Sequence, residues 1–95
     1  MLLIDLGWTG CSDQGKANGY GILVDHPELT IKTFKQEAGE IESADGSQLD
    51  MARYPIGTIL GLKPWHSCAS TKSHSKVHVV KEGMVVDAWT IASGW

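Results

Sequence analysis

A histidine and a cysteine, His66 and Cys68, lie two residues apart at the start of the last third of this 95-residue sequence. In an extended segment alternate side chains point to the same face, so this spacing would bring both side chains to one point. Neutral imidazole nitrogen and thiolate sulfur are good ligands for zinc, which usually takes about four ligands. An ion held here would need water, substrate or another domain to complete its coordination. The spacing alone equally allows a polar turn after a strand.

The same two residues have a competing enzymatic interpretation as a nucleophilic Cys–His pair. On a strand their side chains would run parallel rather than toward each other, and the sequence shows no set of oxyanion donors. Metal binding is therefore the better of the two functional interpretations, although the residues alone favour a partly buried polar side chain and an inert thiol. If a metal is bound, the soft thiolate favours zinc over harder divalent ions such as manganese. His74 is a candidate third ligand, although its Ser- and Lys-rich surroundings predict exposure to solvent.

The segment that follows has the pattern of a β-hairpin. Residues 77–80 and 84–87 are rich in valine and flank a Lys-Glu-Gly turn. With a two-residue loop, counting outward places His78 opposite Asp87, where they would either orient a metal site or make a cross-strand structural contact. A three-residue loop would separate them. The valines of both strands are predicted to be core.

Several spaced elements resemble, in order, the C-terminal end of the D-serine dehydratase and D-threonine aldolase family. They are H-x-C, a V-H-V-V strand, a glycine turn, V-V-D-x-W and a closing G-W. The family belongs to the alanine-racemase-like, fold-type III enzymes, which pair an N-terminal barrel carrying the Schiff-base lysine for pyridoxal phosphate with a C-terminal, metal-binding β domain. The resemblance is best over residues 64–95 and extends to 2–24 and 34–39. Ala38 is a departure, because the family pattern predicts a histidine there.

The resemblance implies that residues 1–95 form one C-terminal domain without the pyridoxal-phosphate barrel. His66 and Cys68 would then hold zinc or another divalent metal, with His78 and Asp87 as outer partners of the site. No residue of this chain is expected to be catalytic or to bind pyridoxal phosphate, which would need the missing barrel. We expect an apolar docking face for that barrel over residues 2–6, Trp8 and Trp65, and self-association through such a face.

The function that the resemblance implies is the metal-binding domain of a lyase, either a dehydratase or an aldolase, that acts on D-3-hydroxy amino acids such as D-serine. The chain would be a fragment or a separated domain that is not catalytic alone. Its partners would be the barrel domain or parent enzyme. The alternative is a stand-alone, non-catalytic β module that binds a protein partner or a metal.

Composition sets the outer bounds of these expectations. Ninety-five residues with 42% apolar content suit a single small core and leave no room for a second catalytic domain. A net charge of −3 and scattered basic residues argue against nucleic acid as a partner. The sequence has neither a secretion signal nor a membrane span, so a cytoplasmic location is predicted. In that compartment Cys11 and Cys68 would stay reduced, and Cys11 is predicted to be an inert loop thiol.

Local patterns predict an all-β fold, a small antiparallel β-barrel or sandwich of about seven strands with little or no helix. Strands are predicted at residues 2–6, 21–25, 29–33 and 58–63 in addition to the hairpin, with a bulge at Phe34. Glycines mark residues 7–21 as a long loop, and turn residues and acids mark 39–53 as solvated surface. Four tryptophans are expected to supply much of the core, namely Trp8, Trp65, Trp89 and Trp95.

Overall fold

The computed structural model describes residues 1–15, 17 and 19–92. In these residues seven strands form three antiparallel sheets, ordered β1-β4-β3, β2-β5 and β6-β7. The strands are β1 (Leu2–Ile4), β2 (Ile22–Val24), β3 (Leu29–Phe34), β4 (Gly39–Ser43), β5 (Gly61–Lys63), β6 (Lys76–Lys81) and β7 (Met84–Thr90). Within the described part of the chain the helical elements are a 3₁₀ turn, Met51–Arg53, and one helix, α1 (Ser67–Lys72). The all-β prediction is therefore confirmed, although the described strands do not close into a barrel.

Strand β4 is the centre of the largest sheet, where the sequence predicted solvated surface. Ile41 on β4 is fully buried and lies between Leu2 of β1 and Ile31 of β3. The acidic residues Glu40 and Glu42 alternate with buried positions and stay half-exposed. The prediction for residues 39–43 was wrong because the glutamates mark the wet face of a strand, whose other face forms the core.

The irregularity of β3 lies slightly earlier than predicted. Its register against β4 shifts between Ile31 and Thr33, so the extra residue is Lys32 rather than Phe34. One extra residue reverses the alternation of side chains, which lets Ile31 and Phe34 both point into the core. Phe34 meets the ring of Tyr20 edge-on, with ring centres 5.1 Å apart.

The second sheet is shorter than its sequence suggests. Leu23 of β2 is buried and pairs with Leu62 of β5. The predicted strand over residues 58–63 begins only at Gly61, and Ile59 is 93% exposed. The predicted strand therefore lacks its first three residues, 58–60.

The β6–β7 hairpin has the predicted turn but not the full predicted register. Lys81 pairs with Met84 and Val80 with Val85 around the two-residue loop. The register then shifts, because Val86 has no partner, and Ala88 rather than Asp87 lies opposite His78. The predicted pairing of His78 with Asp87 was thus wrong by one bulged residue.

The hairpin valines are not core residues. Val80, Val85 and Val86 are 61%, 64% and 58% exposed, whereas Val77 and Val79 are half-buried. Both faces of the hairpin therefore present apolar side chains to solvent. A two-stranded hairpin gains little stability alone in water.

The described tryptophans also lie outside the core. Trp8, Trp65 and Trp89 are each about half exposed, and Trp95 lies outside the described residues. Aliphatic residues and Phe34 supply the core instead, together with the buried thiol of Cys11. Across the described residues no helix has the length and apolar character needed to cross a membrane.

Candidate metal site

His66 and Cys68 lie at the start of α1, not on an extended segment. His66 is the N-cap, and its Nδ1 accepts the backbone N–H of Ala69 at 3.1 Å. Cys68 is the second residue of the helix and is exposed. The one-face arrangement assumed an extended segment, but residues 67–72 lack the apolar alternation of a strand and form a short helix behind the capping side chain of His66. The shared face of a strand therefore does not describe this pair.

The capping bond restricts how His66 could bind a metal. A neutral imidazole has one N–H and one nitrogen with a free lone pair. Because Nδ1 accepts from Ala69, the neutral ring of His66 carries its proton on Nε2. An ion at Nε2 would move that proton to Nδ1, and an ion at Nδ1 would displace the N–H of Ala69. The ring is accessible and of the right chemistry, but binding a metal requires it to leave the cap.

Helix α1 is held by the loop of residues 7–21. Ser70 is buried, and its Oγ accepts the backbone N–H of Ser12 at 3.0 Å. The thiol of Cys11 lies 3.6 Å from the same oxygen. His74 Nε2 donates to the carbonyl of Gly10 at 2.7 Å, so this exposed histidine is engaged in holding the loop. The loop thiol of Cys11 is 3% exposed and forms part of the core.

The first residues of the same loop are hydrogen-bonded to the turn between β3 and β4. The backbone N–H groups of Trp8 and Thr9 donate to the carbonyls of Lys35 and Gln36 at 2.9 and 3.1 Å. A Cβ on Gly7 would lie 2.3 Å from the Lys35 carbonyl oxygen, so this close approach requires glycine. The central sheet thereby positions the loop, and the loop positions α1.

His66 and Cys68 are the two candidate metal ligands in this region, and the described residues around them supply no third. Among the described residues no group of three or more His, Cys, Asp or Glu side chains could hold a metal ion. The carboxylate of Asp87 accepts from the Ala88 N–H at 2.7 Å and from Trp89 Nε1 at 3.2 Å, both on its own strand. An open depression of about 440 Å³ lies between the loop and α1, and Trp8, Asp13 and Ala69 are part of its lining.

A second cluster of titratable groups lies around Glu28, and no sequence pattern predicted it. Oε1 of Glu28 accepts from His26 Nδ1 at 2.9 Å and from the Tyr54 hydroxyl at 2.8 Å, with an Arg53 nitrogen 3.9 Å away. These bonds, with that of His26 foremost, lower the pKa of Glu28 to about 2. Burial, and then the bond to Glu28, raise the pKa of Tyr54. The cluster ties the turn before β3 to the 3₁₀ turn, and its two halves, His26 with Glu28 and Arg53 with Tyr54, are too far apart in sequence to form a motif.

The fold and the site define a class of module, a small antiparallel β domain that presents one imidazole and one thiol at the start of a short helix. The chain belongs to the family described as "Putative serine dehydratase domain", whose model matches residues 1–80. This family membership confirms the resemblance to D-serine dehydratases.

Characterised relatives are much longer than this chain. It is 28% identical over 92 residues to a D-serine dehydratase of Dictyostelium discoideum, covering 96% of this chain and 23% of that protein. It is 31% identical over 106 residues to a D-threo-3-hydroxyaspartate dehydratase of Delftia sp., covering 98% and 28%. An uncharacterized protein of Mycobacterium tuberculosis H37Rv is 30% identical over 77 residues, covering 81% and 55%. The chain thus spans about a quarter of the dehydratases that it matches.

Solved structures agree with the sequence matches. The D-threo-3-hydroxyaspartate dehydratase from Delftia sp. HT23 superposes on 98% of this chain with a TM-score of 0.85 and 30% identity, using 28% of its own chain. A cysteine-to-alanine mutant of that enzyme in the metal-free form gives the same TM-score at 29% identity.

Proposed function

We propose that this chain is the metal-binding C-terminal domain of a D-amino-acid dehydratase-like lyase that acts on D-3-hydroxy amino acids. The observation that carries the proposal is the match of nearly the whole chain, in sequence and in fold, to part of a D-threo-3-hydroxyaspartate dehydratase. Catalysis and pyridoxal phosphate would belong to the rest of such an enzyme, so the isolated chain would not turn over substrate. An aldolase reaction on the same substrate class remains the variant of this proposal, and the cytoplasmic location remains a prediction.

Zinc is the proposed metal, and His66 and Cys68 are its proposed ligands. Imidazole and thiolate suit zinc, and both side chains are exposed. A cysteine-to-alanine mutant of a D-threo-3-hydroxyaspartate dehydratase has been solved in a metal-free form, which supports a metal in such enzymes. A bound metal would supply Lewis-acid polarisation of the substrate hydroxyl. The chain's own contribution is to release His66 from its cap, to present the exposed Cys68 side chain and to leave the remaining coordination positions for other groups.

The proposed partner is the catalytic remainder of the parent enzyme, and the β6–β7 hairpin is the proposed docking arm. The Delftia enzyme contains a similarly folded domain as 28% of its chain, so such domains occur beside a much larger polypeptide. The hairpin here exposes valines on both faces, as a ribbon does that packs between other elements. A second copy of the chain could pair its β7 with this β7 about a two-fold axis at Asp87. The two Asp87 carboxylates would then lie opposite each other, which disfavours a second copy in that register.

Calorimetric titration of the chelator-treated chain with zinc tests the metal site. The wild type should bind one zinc ion, and the double variant His66→Ala, Cys68→Ala should bind none. Lys81→Gln is the control, because Lys81 is an exposed hairpin residue with no place in the proposed site. The proposal fails if the double variant binds zinc as the wild type does. Affinity should also fall as pH drops, because both ligands must lose their protons.

A stand-alone module is the second candidate. The Mycobacterium tuberculosis relative favours it, since the match covers 55% of that protein against 28% of the dehydratase. Family members therefore include proteins that are much shorter than the dehydratases. The genomic sequence upstream of the Met1 codon separates the two candidates, because a barrel-coding region there supports the dehydratase domain.

A further inference from the structure

Ser70 joins Ser12, in the loop after β1, directly to the backbone of His66. Its backbone N–H donates to the His66 carbonyl at 3.1 Å, and its Oγ accepts from the Ser12 N–H at 3.0 Å. Its side chain is buried, and the thiol of Cys11 is also within reach. Nothing else in the proposed function uses this hydroxyl.

The position of Ser70 matters because His66 must give up its cap to bind a metal. Once the imidazole leaves Ala69, the first turn of α1 loses one of its few side-chain bonds at that end. The bonds of Ser70 do not involve the imidazole, so they persist while the ring rotates. A helix of six residues has little stability of its own and depends on such external contacts.

We propose that Ser70 is a positioning residue that holds the first turn of α1 on the loop, so that His66 can exchange its cap for a metal while Cys68 stays in place. This proposal rests on the proposed metal site. It adds that the geometry of the two ligands depends on the serine hydroxyl and, through Ser12, on the loop. Replacement of residues that orient metal ligands commonly lowers metal affinity by about 10- to 100-fold.

Cobalt titration of the full chain, followed by the thiolate-to-cobalt absorption, tests this role. Ser70→Ala should weaken cobalt binding by about tenfold or more. Ser73→Ala is the matched control, because its exposed hydroxyl makes only a 3.4 Å contact to the Ala69 carbonyl at the end of the same helix. It should bind cobalt as the wild type does. Equal affinity of the Ser70→Ala and wild-type chains overturns the proposal.

A conservative variant separates positioning from general stability. Ser70→Thr keeps the hydroxyl, so it should bind cobalt more tightly than Ser70→Ala if the bond to the Ser12 N–H positions the ligands. Equal weakening of cobalt binding by both substitutions would overturn the positioning role. Hydrogen exchange without metal gives an independent measurement, in which Ser70→Ala should speed exchange of the α1 amides and Ser73→Ala should not. If the variants show this exchange pattern but the wild-type chain binds no cobalt, the proposed metal site is wrong. Ser70 would then have only a structural role in holding α1.

Discussion

At the scale of single residues, His66 has two roles that one neutral ring cannot fill together. Its Nδ1 caps α1 by accepting from Ala69, and metal binding needs the same lone pair or the proton that now sits on Nε2. Capping and metal binding therefore compete, and any metal affinity is reduced by the stability that the cap contributes. Typical N-caps contribute about 1 kcal/mol relative to alanine.

Asparagine at position 66 should separate the two roles. Asn is a good N-cap but is not an imidazole ligand, so His66→Asn should keep the stability of the metal-free chain and lose zinc binding. His66→Ala should lose zinc binding and also about 1 kcal/mol of stability. Urea unfolding in the presence of a chelator measures stability, and zinc titration measures binding. Equal destabilisation by both substitutions would mean that the cap contributes nothing.

Glu28 should make the stability of the fold depend on pH in acid. Its hydrogen bonds to His26 and Tyr54 lower its pKa from an ordinary value of 4.5 to about 2. The ionised carboxylate therefore stabilises the fold above pH 4.5, and this contribution is lost as the pH falls from 4.5 to about 2. Thermal unfolding across this range should show a smaller loss in Glu28→Gln than in the wild type. Glu42→Gln is the control, since its nearest cation, Lys32, is 3.9 Å away, and an unchanged acid profile in Glu28→Gln would contradict the account.

The sequence predicted the identity of the two candidate ligands but not their arrangement. The residue types of His66 and Cys68 point to a metal, whereas the shared face depended on an extended segment that is in fact a capped helix. The contacts that hold this helix join Ser12 to Ser70 and Gly10 to His74, about 60 residues apart. Such pairs leave no local pattern, so they emerge only when the chain is folded.

At the scale of the elements, predictions succeeded where short-range turn chemistry decides the structure. Glu82 and Gly83 both adopt positive φ in the predicted two-residue loop. The bulge at Val86 was not predictable, because an inserted residue in a run of valines leaves the pattern unchanged. β4 was missed because its polar face, with Glu40 and Glu42, resembles a solvated turn.

The central position of β4 has a measurable consequence. Ile41 is fully buried in the core, whereas Ile59 is 93% exposed to solvent. Ile41→Val should therefore cost about 0.5–1.5 kcal/mol, while Ile59→Val should change stability by less than about 0.5 kcal/mol. Chemical unfolding of both variants measures the difference. Equal effects would mean that Ile41 does not lie at the centre of the core.

At the scale of the whole molecule, the core is small and the uncovered apolar surface is large. Leu3, Trp8 and Trp65 are 71%, 51% and 48% exposed, in line with part of the docking face that the sequence predicted, although Leu2 is buried. The hairpin adds a second apolar region that the sequence assigned to the core. Exposed apolar surface of this kind is a candidate contact for another polypeptide, and the docking face stays a prediction.

If the hairpin is a docking arm, its apolar side chains should promote association and hydrophobic-dye binding, and they should contribute little to the stability of the fold. Val85→Thr combined with Val80→Thr should lower the binding of a hydrophobic dye and reduce self-association in sedimentation experiments. The same change should leave stability within about 0.5 kcal/mol of the wild type, because both side chains are exposed in the isolated domain. Lys76→Gln is the control, since it changes an exposed polar residue of the same strand. A wild-type chain that stays monomeric and binds no dye would show that the hairpin does not need another polypeptide packed against it. That result favours the stand-alone module over the dehydratase domain.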